Sequence, residues 1–430
     1  MSYTQELIRY IRKTPTAYQA VQVQKEMLDA AGFCELKEEE KWNLRLSGSY
    51  YVIRNSSALI AFTIPKKLPH CARILATHAD APAFLIKTNP EIVAEGAYVK
   101  LNVEAYGGAL LSTWFDRPLS IAGRVFVQEK GAAKEILVDL QKDVCMIPSL
   151  AIHMDRDANK GHAWDVQKEL LPLLSCDKKQ SLADLIAASV HMQTSDILSH
   201  DLFLYNRQEP CIWGAQDEFF SGPRLDDAVC AFASLNGLLS QKKSSEKKSS
   251  EKKSGALCIH AMFDNEEVGS SSYQGACSTF LKDTLERITE ALFETKEDSL
   301  RFLAASFLLS ADNGHAVHPN YPEKCDPTNR PITGKGILLK FSGNQKYTTN
   351  ADGAANVKLL AKRAHVKVQT FQNHANIPGG STLGNLSIRQ VGVPSADIGL
   401  AQLAMHSAYE TCAVSDLLDL KKLAQAHFEV

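Results

Sequence analysis

The sequence has no apolar run near the roughly 20 residues needed to cross a bilayer; FLAASFLLSA is about half that length. It has no excess of either charge: 47 Lys and Arg stand against 49 Asp and Glu, a net of −2. No global field therefore draws the chain to nucleic acid or to an anionic membrane, and neither is expected as a partner. The ten cysteines include no CxxC pair and no regular spacing. That argues against a structural zinc held by four thiolates and for reduced, mostly buried thiols. The first residues, MSYTQELIRYIRKTPTAYQAV, lack the basic-then-apolar pattern of a secretory signal. A cytoplasmic setting is the expectation.

What remains is an ordinary globular composition, 45% hydrophobic and 22% charged over 430 residues, enough for about two to three domains. The segment QKKSSEKKSSEKKSG, residues 241–255, repeats KKSSE and offers no apolar side chain to a core. It is expected to be a disordered surface loop, and without aromatics it is a poor nucleic-acid or lipid site. Elsewhere strand-like and helix-like patterns alternate. ARILATHAD, GALCIHAMF and FLAASFLLSAD read as buried strands, and LDDAVCAFASLNGLL from Leu225 has helical spacing with acids in its first turn. The expected fold class is α/β, a mixed sheet covered by helices on both faces. Between residues 93 and 217, YVKLNVEAYGG, LSIAGRVFVQ and KEILVDL suggest a β-rich domain inserted into the first. The catalytic unit would then be discontinuous, 1–92 and 218–430.

Histidines and acids recur just after the apolar strands. They are His78 and Asp80 in THAD, Glu266 and Glu267 in DNEEVG, and Asp312 in LSADNG, joined by Asp226 at a helix start and His406 in LAMHS. Each alone is unremarkable, a solvated loop acid or a satisfied histidine. Together they are what an open α/β sheet gathers beyond the carboxyl ends of its strands. Carboxylates mixed with imidazoles suit Zn²⁺, with Mn²⁺ or Co²⁺ as substitutes. Five such ligands exceed the needs of one tetrahedral ion and suffice for two if one carboxylate bridges.

The stretches THADAP, EAYGGALLSTWFDRPLSIAGRV, PSLAIHMDRDAN, SHDLFLY, PRLDDAV, FDNEEVGSSSYQGA, SADNGHAVHPNY, NQKYTTNA, GGSTLG and AQLAMHS follow in that order over nearly the whole chain. In them the chain resembles the aspartyl aminopeptidase family, a group of co-catalytic zinc peptidases. The resemblance implies an aminopeptidase that removes N-terminal residues, acidic ones by preference, from peptides with a free N-terminus, through attack by metal-activated water. It implies two zinc ions per subunit, with His78 and Asp312 on one, Glu267 and His406 on the other, and Asp226 between them. Glu266 would be the general base, and Asp80 would orient the His78 ring. The inserted domain would make a dimer, and dimers a dodecamer. His153 from that domain would serve a neighbouring subunit's active site or act as a zinc ligand. Lys340, with Lys346 as runner-up, would meet an acidic side chain in the substrate pocket. The chain departs from the family pattern at Asp227, where Asn is usual, and at His374, Asn376 and Gly379 in HANIPGGSTLG. Two rival readings are another dinuclear amidohydrolase, a deacylase or carboxypeptidase, and a catalytically silent oligomeric metal-binding scaffold.

Overall fold

A computed structural model of the chain describes residues 2–247 and 255–429. Among them a nine-stranded mixed sheet runs in the order Cys34–Leu36, Ser49–Arg54, Ala58–Thr63, Leu257–Phe263, Ala72–His78, Phe307–Ala311, Ser395–Gly399, Ile337–Lys340 and Val368–Phe371. Its centre is parallel: Leu257–Phe263, Ala72–His78, Phe307–Ala311 and Ser395–Gly399 all point the same way. Every residue of Leu257–Phe263 is buried, which is why this stretch reads as a continuous apolar run and not an alternating one.

Helices cover both faces. Tyr3–Lys13 is fixed at its start by a capping box between Ser2 and Gln5. It buries Tyr3, Leu7, Tyr10 and Ile11, one stripe at helical spacing. With Leu225–Lys247, Ala351–Ala364 and Val414–Phe428 it packs on one face, and Phe280–Leu292, Lys296–Ala304 and Leu383–Val391 pack on the other. The α/β reading thus holds. No helix among the described residues is long and apolar enough to cross a membrane.

The β-rich middle of the chain forms a second sheet, antiparallel throughout, in the order Ala132–Asp139, Leu119–Glu129, Ile197–Asn206, Ala83–Ala94, Tyr98–Tyr106 and Leu173–Ser175. Its first strand begins at Ala83, upstream of the boundary expected at residue 93. It has a core of its own, with Phe84 set edge-on to Trp114 at 5.1 Å. Polar contacts tie it to a helix and a turn of the first part of the chain. Gln19 Nε2 donates to the carbonyls of Gly123 and Val138, both at 2.9 Å, and Arg124 bonds the Asn55 carbonyl at 3.0 Å.

The Lys/Ser-rich segment departs from expectation. Residues 241–247 continue the helix Leu225–Lys247, because Gln and Lys are good helix formers. The Lys242 ammonium donates to the Gly32 carbonyl at 3.0 Å and lies 4.7 Å from the Phe33 ring centre. Its stem packs although its charge reads as solvated. Residues 248–254, the rest of that expectation, lie outside the described residues.

Candidate active site

The parallel centre of the large sheet brings four chain segments to one edge, and the start of a helix supplies a fifth. His78 ends its strand, and Asp312 follows Phe307–Ala311. Glu266 and Glu267 begin a 3₁₀ turn just after Leu257–Phe263, entered through Asn265 in the left-handed region. His406 lies beyond the short strand Ala401–Gln402. Asp226 stands at the start of the helix Leu225–Lys247 with extended backbone, φ −86 and ψ 106.

Asp226 faces a histidine on each side. Its Oδ1 is 3.6 Å from His78 Nε2, which also lies 3.9 Å from Asp312 Oδ1. Its Oδ2 is 3.8 Å from His406 Nε2, which lies 3.4 Å from Glu267 Oε2. Two groups result, His78 with Asp226, Asp227 and Asp312, and Asp226 with Glu267 and His406. Glu266 and Glu267 also stand together with His78.

Both imidazoles are turned by backbone carbonyls. His78 Nδ1–H donates to the Asp80 carbonyl at 3.0 Å, and His406 Nδ1–H to the Gly108 carbonyl at 3.1 Å. Each ring therefore turns Nε2 toward the acids. The Asp80 carboxylate does more than face His78. Its Oδ1 accepts the Glu266 N–H at 3.0 Å and its Oδ2 the Glu267 N–H at 3.1 Å, so it pins the turn that carries both glutamates.

Burial makes this crowding of acids costly. It pushes Glu266 up to about 8 and Asp312 to about 7, with neighbouring carboxylates adding to the rise. Glu267 and Asp227 are raised well above the usual carboxylate range by the same causes. Burial also opposes ionisation of Asp226, but the His78 imidazole, with His406 and Lys340, holds it low. Burial works against a charged His78, yet Asp226 and Asp80 carry it well above its ordinary value. Carboxylates raised in this way are kept ionised only by positive charge among them.

Lys340 lies where the sequence expectation did not put it. Strand Ile337–Lys340 runs antiparallel to Ser395–Gly399, pairing Lys340 with Asp397. The side chain thus enters from beneath the site. Only 1% exposed, it donates to the Asn313 carbonyl at 2.6 Å and sits 3.7 Å from Asp312 Oδ2. Its charge steadies a buried acid and is not open to an incoming substrate. Lys346 bonds the Gly379 carbonyl and lines a cavity of 430 Å³ together with Phe341, Asn344, His374 and Asn376. His153 is exposed in a loop of the second sheet's unit and stands apart from the cluster.

A profile of the aminopeptidase I zinc metalloprotease (M18) family matches residues 10–428. The chain belongs to this family. It is 41% identical over 425 residues to the probable M18 family aminopeptidase 2 of Clostridium novyi (strain NT), covering 97% of this chain and 96% of that one. It is 37% identical over 433 residues to the protein of that name from Stutzerimonas stutzeri (strain A1501), with 99% and 97% covered. A chain in the cryo-EM structure of the Ape4 and Nbr1 complex superposes with a TM-score of 0.92 at 34% identity, over 99% of this chain and 85% of that one. The S. cerevisiae mApe1 dodecamer gives 0.85 at 30% identity, over 99% and 95%. The protein is thus a zinc aminopeptidase, a hydrolase acting on peptide bonds, and the resemblance read from its motifs holds.

The residues of this M18 site fit zinc. The N···O separations of 3.4–3.9 Å are too long for hydrogen bonds. They approach the roughly 3.3–3.6 Å between two ligands that each stand about 2.0–2.2 Å from one tetrahedral ion. Asp226 Oδ1 and Asp227 Oδ1 are buried without a hydrogen-bond partner. Imidazole nitrogen with carboxylate oxygen is a zinc donor set.

Some residues that shape the site were missed from sequence. Glu410 is buried, pushed up to about 8 by burial and then by Asp226. It accepts the Asp226 N–H at 3.1 Å and the His406 N–H at 2.7 Å, tying the two segments together. Its place four residues after His406 was the available signal. Tyr106 and Asn265 carried none.

Proposed function

We propose that the protein is an aminopeptidase with two zinc ions per subunit, Mn²⁺ or Co²⁺ being possible substitutes. One ion would be held by His78 and Asp312, the other by Glu267 and His406, with Asp226 between them. The observation that carries this reading is the position of Asp226, one oxygen toward each histidine. When bound, zinc supplies Lewis-acid chemistry, acidifying water and polarising a carbonyl. Glu266 takes the proton of the attacking water and returns it to the leaving amine. Asp80 holds the backbone of Glu266 and Glu267, so the base and its neighbouring ligand keep a fixed relation. Asp227 braces His78 by accepting its backbone N–H at 3.3 Å.

Preference for an acidic first residue belongs to the same proposal, but with Lys340 engaged it rests on Lys346 in the 430 Å³ cavity. A homo-oligomer built from dimers, up to a dodecamer as in the S. cerevisiae protein, is supported by that similarity and by the exposed Leu150, Ile152 and Met154 around His153. In such an assembly His153 would serve a neighbour's site. A cytoplasmic setting agrees with the burial of Cys71, Cys145, Cys230, Cys258, Cys325 and Cys412. The test is zinc content measured beside hydrolysis of Asp-, Glu- and Leu-anilides with free and blocked N-termini. Release from free amines only, fastest for Asp and Glu, is the expected result. Anilide release from blocked substrates would make it an amidase with no need of a free amine, loss of the blocking acyl group with the anilide intact would make it a deacylase, and bound zinc without hydrolysis would make it a scaffold.

A further inference from the structure

The second sheet reaches the catalytic turn through residues 106–110. Tyr106, the last residue of Tyr98–Tyr106, donates its hydroxyl proton to Asp80 Oδ2 at 2.8 Å. The same oxygen of Asp80 accepts the Glu267 N–H, and its partner oxygen accepts the Glu266 N–H. The Tyr106 hydroxyl in turn accepts from Asn265 Nδ2 at 2.8 Å. Asn265 is the residue that enters the turn with φ +61, in the left-handed region that asparagine tolerates better than most side chains. Its Oδ1 is fixed too, accepting from Ser272 Oγ at 2.6 Å and Gln274 Nε2 at 2.8 Å.

Tyr106 cannot swing freely, because its ring stands edge-on to Phe203 of the same sheet at 5.4 Å. Burial, reinforced by the Asp80 charge, raises the phenol above its ordinary value and keeps the proton on the donor. The next residues press on the same turn. At Gly107, φ +73, an added Cβ would meet Glu267 Cβ at 3.1 Å. The Gly108 carbonyl orients His406, and Leu110 N–H donates to the His406 carbonyl at 2.8 Å.

We propose that Tyr106 is a positioning residue through which the second sheet sets the aim of Glu266, acting by way of Asp80 and Asn265. The hydroxyl limits how Asp80 can rotate, Asp80 fixes the two backbone N–H groups, and Asn265 holds the entry of the turn. The inference rests on the reading of Glu266 as the base.

The experiment compares the zinc-loaded protein with Tyr106→Phe, Asp80→Asn, the double variant and Glu266→Gln. Tyr106→Phe keeps the ring and its packing on Phe203. It is expected to lower kcat about 10-fold, the scale of one hydrogen bond to a charged group. KM should stay within about twofold, and zinc content and thermal midpoint should match the parent. The double variant should be no slower than Asp80→Asn alone, since the tyrosine acts through that carboxylate. An unchanged kcat in Tyr106→Phe, a fall that comes with zinc loss, or additive losses in the double variant would each overturn the inference. An active Glu266→Gln would instead overturn the base reading. A dead Glu266→Gln beside an undisturbed Tyr106→Phe removes only the role of Tyr106.

Discussion

At the scale of the residue, the sequence names the acids and histidines of the site better than it names their supports. His78, Asp80, Glu266, Glu267 and Asp312 announce themselves by their places after apolar runs, Asp226 by its place at a helix start and His406 in LAMHS, and the structure gathers them at one sheet edge. Lys340 also ends an apolar run, but an apolar run does not reveal which way its strand points in the sheet. The antiparallel pairing with Ser395–Gly399 turns the lysine under the acids. Removing it by Lys340→Met should leave Asp312 buried without its cation, costing about 3–5 kcal/mol of stability as broken buried pairs do. kcat/KM should fall by similar factors for Asp-, Glu- and Leu-anilides. Steady-state kinetics on the three substrates checks this, and a loss confined to the acidic ones would return Lys340 to the substrate pocket. Tyr106 was illegible for another reason: its partners Asp80 and Asn265 lie 26 and 159 positions away in the chain.

At the scale of the element, strands buried on both faces were the most legible, because an unbroken apolar run bounded by polar turns is, by its shortness, more apt to be an enclosed strand than a helix. The run FLAASFLLSAD shows the limit, since its first residues close the helix Lys296–Ala304 and only Phe307–Ala311 is strand. Strand Leu257–Phe263 holds a polar group that its pattern hides. His260 is fully enclosed, with Nδ1 2.7 Å from Ser234 Oγ and Nε2 2.8 Å from Gln24 Oε1. Burial drives it down to about 3 from an ordinary 6.5. The unfolded chain therefore binds a proton more readily than the folded one. This contribution to stability is present in full above pH 6.5 and is lost as pH falls toward 3. One such group steepens the acid loss by about 1.4 kcal/mol per pH unit. His260→Gln should be shallower than the parent by that amount between those pH values in denaturant titrations. Parallel curves would mean that His260 is not held neutral.

At the scale of the whole molecule, two sheets were foreseeable from the change in texture near residue 93, but their order and contacts were not. Pairings such as Leu257–Phe263 between Ala58–Thr63 and Ala72–His78 join distant parts of the chain. Local pattern holds no record of them. Assembly can be tested at this scale too. If His153 of one subunit completes the site of another, inactive His153→Ala subunits mixed with inactive Glu266→Gln subunits should regain activity in re-formed hybrids. Some sites would then hold an intact base and an intact histidine from different chains. Rates measured after demonstrated subunit exchange decide it, and no recovery would remove His153 from the neighbour's site.

The central claim is that Glu266 and Glu267, side by side in the chain, do different work. Its most direct test is zinc content and kcat measured together in Glu266→Gln and Glu267→Gln. Glu266→Gln is predicted to keep its zinc and lose roughly 10²–10⁴-fold in rate, the usual cost of a missing general base, while Glu267→Gln loses zinc. Equal zinc loss and equal residual rates in the two variants would contradict it.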